Sequence, residues 1–406
     1  MKLTDEEKRI LDGKQGAPYK MAMEMLVALG KIYGADKMIP VKSAHCAGLS
    51  LKSHGIAGAE WAEDLAKSGA RVCVPTTMNV VGVDRSRDLG LPADWTTNQM
   101  RIENAYECMG CHGTSTCVPY YNGFVPRFGE SIAWAESSAV VFTNSVLGAR
   151  DNREGGPSAL AAGLVGRTPA YGLHLDKNRK GNYLFKVKTA LKDVSDYGAL
   201  GAYVGRMVGT SIPVFDGLSN PYIEDLVYLS SALASSGSVA MFHAVGITPE
   251  APTVSAAIGR KKVETVLITA REIEKGRRQL TSAKDTKVDY VAVGCPHFSL
   301  GQIKEVAGLL QGKKVSKDVV CWIHTNVAIK ALATQLGYAK IIEESGAVLT
   351  QDICTVLSIP EALGFKTLAT NSPKMAFYAQ GGNKLMTWYG NLQKCVNAAV
   401  TGYWKG

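Results

Sequence analysis

The strongest constraint on the fold is the alternation of strand-like and helix-like segments in the second half of the chain. From about residue 194 onward, short apolar runs recur, and helical patterns separate most of them. Strands are predicted near residues 211–215, 239–244, 263–268, 288–293, 318–323, 346–350 and 366–369. This order favours parallel strands joined by crossover helices, so the sequence predicts an α/β protein.

The first half of the chain follows the same order less regularly. Helices are predicted over residues 17–34, 58–67 and 130–147, and strands over 38–41, 71–74 and 182–189. The stretch 148–181 is rich in Gly, Arg and Pro, which indicates a functional loop or a domain connection. At 406 residues the chain is long enough for two or three domains. We expect α/β regions at 1–150, 151–290 and 291–406, in which mixed or parallel sheets are flanked by helices.

Composition and charge narrow the range of partners. Lys and Arg total 45 against 36 acidic residues, a formal charge of +9. Nucleic acid, an acidic partner or an anionic small substrate could each explain this charge. Because the basic residues are dispersed and form no nucleic-acid motif, nucleic acid is the least favoured of the three. No apolar run reaches the roughly 18 residues needed to span a bilayer, and the charged N-terminus lacks a signal-peptide core. Nine cysteines without a disulfide-scaffold pattern predict a reducing cytoplasm.

Three distant cysteines each lie in a segment suited to presenting a thiolate. Cys117, Cys295 and Cys354 each follow or end a β-like stretch, with Gly or Pro nearby. Strand ends of an α/β protein face a shared crevice, so the three can converge on one ligand. Three thiolates hold three irons of a [4Fe–4S] cube and leave the fourth open to substrate. The alternative is that these are buried cysteines acting as small hydrophobes.

A second metal motif lies close by in the sequence. Cys108 and Cys111 form a Cys-x-x-Cys pair followed by His112 and Cys117, which is a ligand set for a local structural zinc site. The remaining cysteines occur in apolar or helical contexts and are interpreted as structural; they are Cys46, Cys73, Cys321 and Cys395.

Several polar clusters could bind the oxygens of an anion. After the first predicted strands come His45, Gly48 and Ser50, then Thr76, Thr77 and Asn79. Such groups are equally good helix caps. Ser372 and Pro373 indicate a helix start whose backbone amides, with Lys374, would also suit an anion.

The densest polar cluster lies between residues 144 and 156. It contains Asn144 and Ser145, and then Arg150 and Arg153 bracketed by glycines. Guanidinium groups offer forked donors to carboxylate or phosphate oxygens. The alternative is a helix C-terminus with cations over its dipole and Gly as its stop.

Taken together, these segments resemble the large, catalytic subunits of the aconitase X family, in the aconitase superfamily. The matching blocks are Ser43–His45 with Gly48 and Ser50, Val74–Asn79, Thr116–Tyr120, Gly129–Ser131, Glu136–Ala139, Asn144–Gly156, Gly166–His174, Gly294–His297, Asp352–Cys354 and Thr370–Lys374. The loop with Cys108 and Cys111, and the neighbours of His45, depart from the family pattern.

The resemblance implies an iron–sulfur hydro-lyase acting on a small anionic 3-hydroxy acid. Cys117, Cys295 and Cys354 would be the cluster ligands, with [4Fe–4S] preferred and [2Fe–2S] possible in some members. The family's known substrates are mevalonate 5-phosphate in archaea and cis-3-hydroxy-L-proline in bacteria. The basic balance and the separate large subunit favour the phosphorylated substrate.

The resemblance also assigns roles to other residues and a partner. Arg150, Arg153 and Lys374, with the Ser and Thr hydroxyls, would hold the substrate's carboxylate or phosphate, and His45 would donate a proton or orient the leaving group. The family has a small swivelling domain, for which residues 1–406 leave no room, so a partner of roughly 130 to 150 residues is expected. By analogy with aconitase, that partner would supply a Ser base. The rival from another class is a non-catalytic iron–sulfur or zinc sensor.

Overall fold

A small parallel sheet organises the first part of the structure, a computed structural model that describes residues 1–405. The elements run in the order α1 (Asp5–Leu11), α2 (Ala17–Ile32), β1 (Met38–Pro40), β2 (Ala44–Cys46), α3 (Leu51–Lys67), β3 (Thr76–Met78) and α4 (Ala93–Cys108). They continue with β4 (Ala133–Trp134), α5 (Ser137–Phe142), a π-helical turn (Thr143–Leu147), α6 (Gly156–Val165) and β5 (Arg167–Pro169). Strands β3, β2 and β4 pair in parallel, whereas β1 and β5 form an antiparallel pair.

The second part is a four-stranded parallel sheet. Its elements are β6 (Tyr183–Val187), α7 (Val194–Val208), β7 (Pro213–Asp216), α8 (Ile223–Gly237), β8 (His243–Ala244), α9 (Val254–Ile258), β9 (Glu264–Ile268) and α10 (Ala270–Gln279). The strand order is β8-β7-β6-β9. The small residues Gly201 and Ala232 lie at the α7–α8 contact, so these two helices pack closely.

The third part is a five-stranded parallel sheet. Its elements are β10 (Tyr290–Val293), α11 (Leu300–Leu310), β11 (Val320–Thr325), α12 (Val327–Gln335), α13 (Tyr338–Glu344), β12 (Val348–Gln351), β13 (Thr367–Thr370), α14 (Pro373–Gly382), β14 (Met386–Tyr389) and α15 (Leu392–Thr401). The strand order β12-β11-β10-β13-β14 places the fully buried β10 in the middle. From β10 the chain first adds strands on one side and later on the other. That reversal opens a crevice at the carboxyl ends of β10 and β13.

One apolar core joins the three parts. Its members include Trp134 from the first, Phe185 from the second and Tyr290 from the third. The carboxyl ends of strands from different sheets are therefore held at fixed positions relative to one another. Within residues 1–405, no helix combines the length and the apolar character that crossing a membrane would need.

The α/β prediction with parallel sheets is confirmed, but two local predictions are wrong. Residues 71–74 form no strand; β3 begins after Pro75, which lacks the N–H that a sheet ladder uses. The helix predicted from residue 130 begins only at Ser137, because Glu136 caps it and β4 precedes it. The stretch 148–181 contains α6 and β5, which the sequence analysis did not predict.

The chain after residue 150 remains connected to the first part through β5, which pairs with β1. The boundaries expected at residues 150 and 290 stay predictions.

Candidate active site

The three predicted cysteines line one cleft. Cys117, Cys295 and Cys354 border a cleft of about 370 Å³, together with Gly48 and Asn79. All three are buried, and the Sγ atoms of Cys295 and Cys354 lie 3.9 Å apart. These three cysteines, which are at least 59 residues apart in sequence, therefore meet in one cleft.

The parallel sheets explain how two of the cysteines arrive there. Cys295 follows the buried strand β10 through Gly294, whose φ is +94°. A Cβ at Gly294 would collide with the carbonyl oxygen of His324, so only glycine fits this turn. Cys354 follows β12, and its N–H donates to Val81 O at 3.1 Å.

Cys117 arrives differently from the prediction, since no strand precedes it directly. Its segment is hydrogen-bonded to the end of β3, where the N–H of Thr116 donates to Met78 O at 3.0 Å. The chain after β3 also reaches the third cysteine segment, because Val81 N–H donates to Asp352 O at 2.9 Å. The end of β3 therefore supports two of the three cysteine segments.

The donor set fits an iron–sulfur cluster better than a single metal ion. Within residues 1–405, no three His, Cys, Asp or Glu side chains converge closely enough to hold one ion. In a cluster each thiolate binds a different iron, so the sulfurs need not share one point. Contact between Cys295 and Cys354 lowers the pKa of Cys354 and raises that of Cys295. Burial raises the pKa of Cys117 as well, so Cys354 is the one thiol of the three whose pKa is lowered.

A buried ion pair lies in the same cleft. Lys374, in the first turn of α14, donates to the carboxylate of Glu136, to Ser137 Oγ at 3.1 Å and to Ser138 Oγ at 3.2 Å. Burial lowers the pKa of Lys374, but the charge and hydrogen bond of Glu136, together with Cys295 and Cys117, outweigh burial, and the net shift is upward. Lys374 therefore presents a permanent positive charge beside the cysteines.

Glu136 is the site residue that the sequence analysis missed. It is the N-cap of α5, and its Oε2 accepts the N–H of Ala139 at 2.7 Å. The helix predicted from residue 130 placed it inside a helix instead. The available signal was a polar Glu-Ser-Ser run just before an apolar run, which is a pattern of helix starts.

His45 is buried on β2 and does not line the cleft itself, but it lies beside Asn79 and Glu136, which do. Its Nδ1 is 2.7 Å from Thr77 Oγ1, whereas its Nε2 has no hydrogen-bond partner among residues 1–405. Asn79 Oδ1 is also left without a partner in that part of the chain. Burial lowers the pKa of His45 to about 4, although Glu136 and Asn79 oppose the shift. The imidazole is therefore neutral at pH 7.

Two of the predicted residues serve local structure. Ser50 is the N-cap of α3; its Oγ accepts Lys52 N–H at 3.1 Å and donates to Leu357 O at 2.5 Å. Thr76 Oγ1 donates to Val74 O at 2.9 Å. Neither side chain lines the cleft.

The arginine loop forms a separate, closed network. Arg150 is paired with Glu250 and Asp176, both at 2.8 Å. Asn144 Oδ1 accepts a hydrogen bond from Arg179 Nη1 at 2.9 Å, and Ser145 Oγ accepts one from the N–H of Phe242 at 2.8 Å.

Arg153 differs from these neighbours. It is exposed and makes no hydrogen bond or ion pair with any other described residue. It lies beside Glu154, whose N–H donates to Trp134 O at 3.3 Å, at the carboxyl end of β4. Arg153 is therefore a free cation near the edge of the sheet that carries Glu136.

The local zinc set does not come together. Cys108 is exposed, whereas Cys111 is buried in an apolar cluster with Cys46. The ring of His112 packs against Phe124 at 5.3 Å, and Cys117 faces the cleft.

Comparisons with known proteins agree with this architecture. Family models described as the aconitase X first, second and third domains match residues 1–177, 181–278 and 288–401. The phosphomevalonate dehydratase large subunit of Methanocaldococcus jannaschii is 43% identical over 405 residues, covering 98% of this chain and 99% of that protein. The cis-3-hydroxy-L-proline dehydratase of Pseudomonas aeruginosa is 37% identical, covering 98% of this chain and 69% of that protein.

A solved structure shares the fold as well. The crystal structure of Thermococcus kodakaraensis aconitase X in its holo-form has a TM-score of 0.91 at 42% identity, covering 98% of this chain and 100% of that chain. Sequence and fold therefore lead to the same conclusion over nearly the whole length. The chain belongs to the aconitase X family.

Proposed function

We propose that this chain is the large subunit of an iron–sulfur hydro-lyase that converts mevalonate 5-phosphate to anhydromevalonate 5-phosphate. The observation that carries the proposal is one cleft lined by three cysteine thiols and a lysine ammonium. Five large subunits of phosphomevalonate dehydratase are 35–43% identical to this chain, four of them at 40–43%, against 34–37% for two cis-3-hydroxy-L-proline dehydratases. Dehydration of cis-3-hydroxy-L-proline is the lesser alternative.

Cys117, Cys295 and Cys354 are the residues that would hold the cofactor, with [4Fe–4S] preferred over [2Fe–2S]. When bound, a cluster with one open iron supplies a Lewis acid for the leaving hydroxyl group. The chain's own contribution is to keep three thiols at one wall of a cleft. The same cleft is also lined by polar side chains for the substrate, among them Asn79, Ser137 and Lys374.

Lys374 is the best-placed group to bind the substrate's carboxylate or phosphate. Unlike Arg150, Lys374 lines the cleft, and a substrate oxygen would replace one of the three partners of its ammonium, which are Glu136, Ser137 and Ser138. The hydroxyl of Ser137 can donate to the same oxygen, whereas that of Ser138 donates to Glu136 Oε1 at 3.4 Å. Arg153 is the second candidate, because its forked guanidinium is unpaired and near the same sheet edge. Arg150 is already neutralised by two carboxylates, so it contributes position rather than free charge.

His45 is the candidate for handling a proton. Thr77 fixes one ring nitrogen, and Nε2 remains free near Asn79 and Glu136. A neutral imidazole with one unpartnered nitrogen can accept or donate a hydrogen bond to the substrate's hydroxyl group. Gly48 and Asn79 line the cleft itself.

A small swivel-domain subunit is the expected partner, and a reducing cytoplasm the expected location. The partner is supported by the relatives from Methanocaldococcus, Thermococcus and Methanothermobacter, which are named as large subunits. Closing the cleft would exclude water and strengthen every charge interaction within it. The location is supported by the cysteines, all of which are free among the described residues.

The test is turnover of two substrates by the anaerobically reconstituted chain, with and without a small subunit. The proposal predicts dehydration of mevalonate 5-phosphate by the complex, with weak or no activity for either component alone. Preferential turnover of cis-3-hydroxy-L-proline would favour the alternative. If a Lys374→Met variant kept both activities in full, the cleft would not be the active site. That result would favour a metal or redox sensor role for the cleft.

A further inference from the structure

One buried histidine touches all three cysteine segments. His297 lies two residues after Cys295 and its backbone N–H donates to Cys117 Sγ at 3.3 Å. Its ring Nδ1 is 3.1 Å from the Oγ1 of Thr116, the residue before Cys117. Its ring Nε2 is 3.1 Å from the carbonyl oxygen of Ile353, the residue before Cys354.

The partners of the ring settle where its proton sits. The carbonyl oxygen of Ile353 can only accept, so Nε2 carries the hydrogen and donates it. In a neutral imidazole Nδ1 is then an acceptor, and the hydroxyl of Thr116 donates to it. The same hydroxyl accepts the N–H of Val118 at 3.2 Å, so its donor and one acceptor site are both used. All of these hydrogen bonds are satisfied by a single tautomer of His297, in which Nε2 carries the hydrogen.

We propose that His297 is a positioning residue that holds the three cysteine segments in register, so that their thiols face the cleft before any cofactor is bound. This rests on the proposed role of these cysteines as cluster ligands. The physical reason is chain connectivity. Residues 116, 297 and 353 belong to separate parts of the sequence. Apart from His297, the Cys117 segment is tied to β3, and it reaches the Cys354 segment only indirectly, through the bonds of Val81 beyond β3, among the described residues.

A rigid two-ended side chain suits this position. The imidazole offers an acceptor and a donor on opposite edges of one plane, and it is fully enclosed. Leucine would fill most of the volume but would leave Thr116 and Ile353 without their partner. Glutamine keeps one donor and one acceptor on a flexible stem, so it should restore part of the function.

The experiment compares His297→Leu and His297→Gln with a matched control, His243→Leu. His243 is likewise buried, with Nε2 2.7 Å from Arg179 O, but it lies in the second part of the chain. Chains are reconstituted anaerobically with iron and sulfide. The measurements are iron per chain, the electron paramagnetic resonance spectrum of the reduced protein, and the rate of iron release to a chelator.

We expect His297→Leu to release iron about tenfold faster than the parent and to change the spectrum, since two hydrogen bonds are lost. His297→Gln should fall between parent and Leu. His243→Leu should match the parent in iron release, even where it lowers the melting temperature. Equal release rates for all three variants and the parent would overturn the proposal.

A second readout separates this proposal from the assignment of the ligands. In the cofactor-free chain, alkylation of Cys117 and Cys354 by iodoacetamide should be faster in His297→Leu than in His243→Leu. If the parent binds no iron, the ligand assignment fails, but this labelling difference still tests the role of His297. Identical labelling of both variants would refute that role. If His297→Leu does not fold, the comparison of His297→Gln with His243→Gln decides.

Discussion

The cysteine cleft and the arginine network are both dense in polar residues, yet their side chains are satisfied to very different degrees. In the network, Arg179 is almost fully buried and donates to Glu250, to the side chain and backbone of Asn144, and to two further carbonyl oxygens. At the cleft, Asn79 Oδ1 has no partner among residues 1–405, and neither has Nε2 of His45, which is buried next to Asn79 but does not itself line the cleft. The cleft is also open, with a volume of about 370 Å³.

This difference separates a structural cluster from a candidate active site. A buried charge that keeps every partner stabilises one arrangement, and removing a partner is costly. Groups left without partners beside an open volume are available to a ligand instead. Polar density along the sequence does not distinguish the two cases, because partners such as Glu250 lie far away in the chain.

The largest expected effect is the loss of bound iron from the cleft. Replacing Cys117, Cys295 or Cys354 by Ser should remove most iron, because a hard hydroxyl replaces a soft thiolate. Iron analysis and visible absorption of anaerobically purified protein measure this. Cys108→Ser is the control and should retain iron, since that residue is exposed and away from the cleft. Full iron in Cys354→Ser would break the assignment.

The next largest effect should be on stability alone, in the network. Arg179→Met leaves the partly buried carboxylate of Glu250 with Arg150 as its remaining guanidinium partner and should lower the free energy of unfolding by about 3 kcal/mol. Denaturant unfolding of the cofactor-free chain measures it. The KM of the folded fraction should stay unchanged; a raised KM would place the network in substrate binding.

For Lys374 in the cleft, we expect an effect on turnover rather than on stability. Lys374→Met removes one charge-assisted contact to the substrate's anion and should lower kcat/KM by up to about a hundredfold. Lys374→Arg keeps the charge and should recover part of it. Steady-state kinetics of the complex measure both. Iron content should be unchanged, so a variant that loses iron would show that Lys374 supports the cysteines instead.

The smallest effect should distinguish the two arginines of the loop. Arg153→Lys should lower kcat/KM about tenfold, because lysine has no fork to match a carboxylate or phosphate. Arg150→Lys should affect stability more than KM, since Glu250 and Asp176 already hold Arg150. Kinetics and unfolding of both variants give the comparison. If Arg153→Lys did not change kcat/KM for either substrate, the loop would be only a helix terminus.

The fold was predictable because its signal is local. Apolar runs separated by helical patterns indicate parallel sheets without knowledge of any contact, and Cys295 and Cys354 do follow strands, as predicted. The helix start at Ser372 and Pro373 is likewise confirmed, since its signal lies within four residues.

The parts of the site that could not be predicted depend on long-range contacts. Lys374 and Glu136 are 238 residues apart, and nothing near either residue indicates the other. The pairing that neutralises Arg150 joins residues 100 positions apart. Cys117 was placed correctly at the cleft for a partly wrong reason, because its segment is supported by β3 and not by a strand of its own.

The most direct test of the central claim is an iron-edge anomalous difference map from anaerobically grown crystals of the reconstituted chain. The account predicts iron peaks at bonding distance from the Sγ atoms of Cys117, Cys295 and Cys354, on the side of the cleft that faces Lys374. Iron bound at Cys108 and Cys111, or a cleft without iron in protein that turns over substrate, would contradict it.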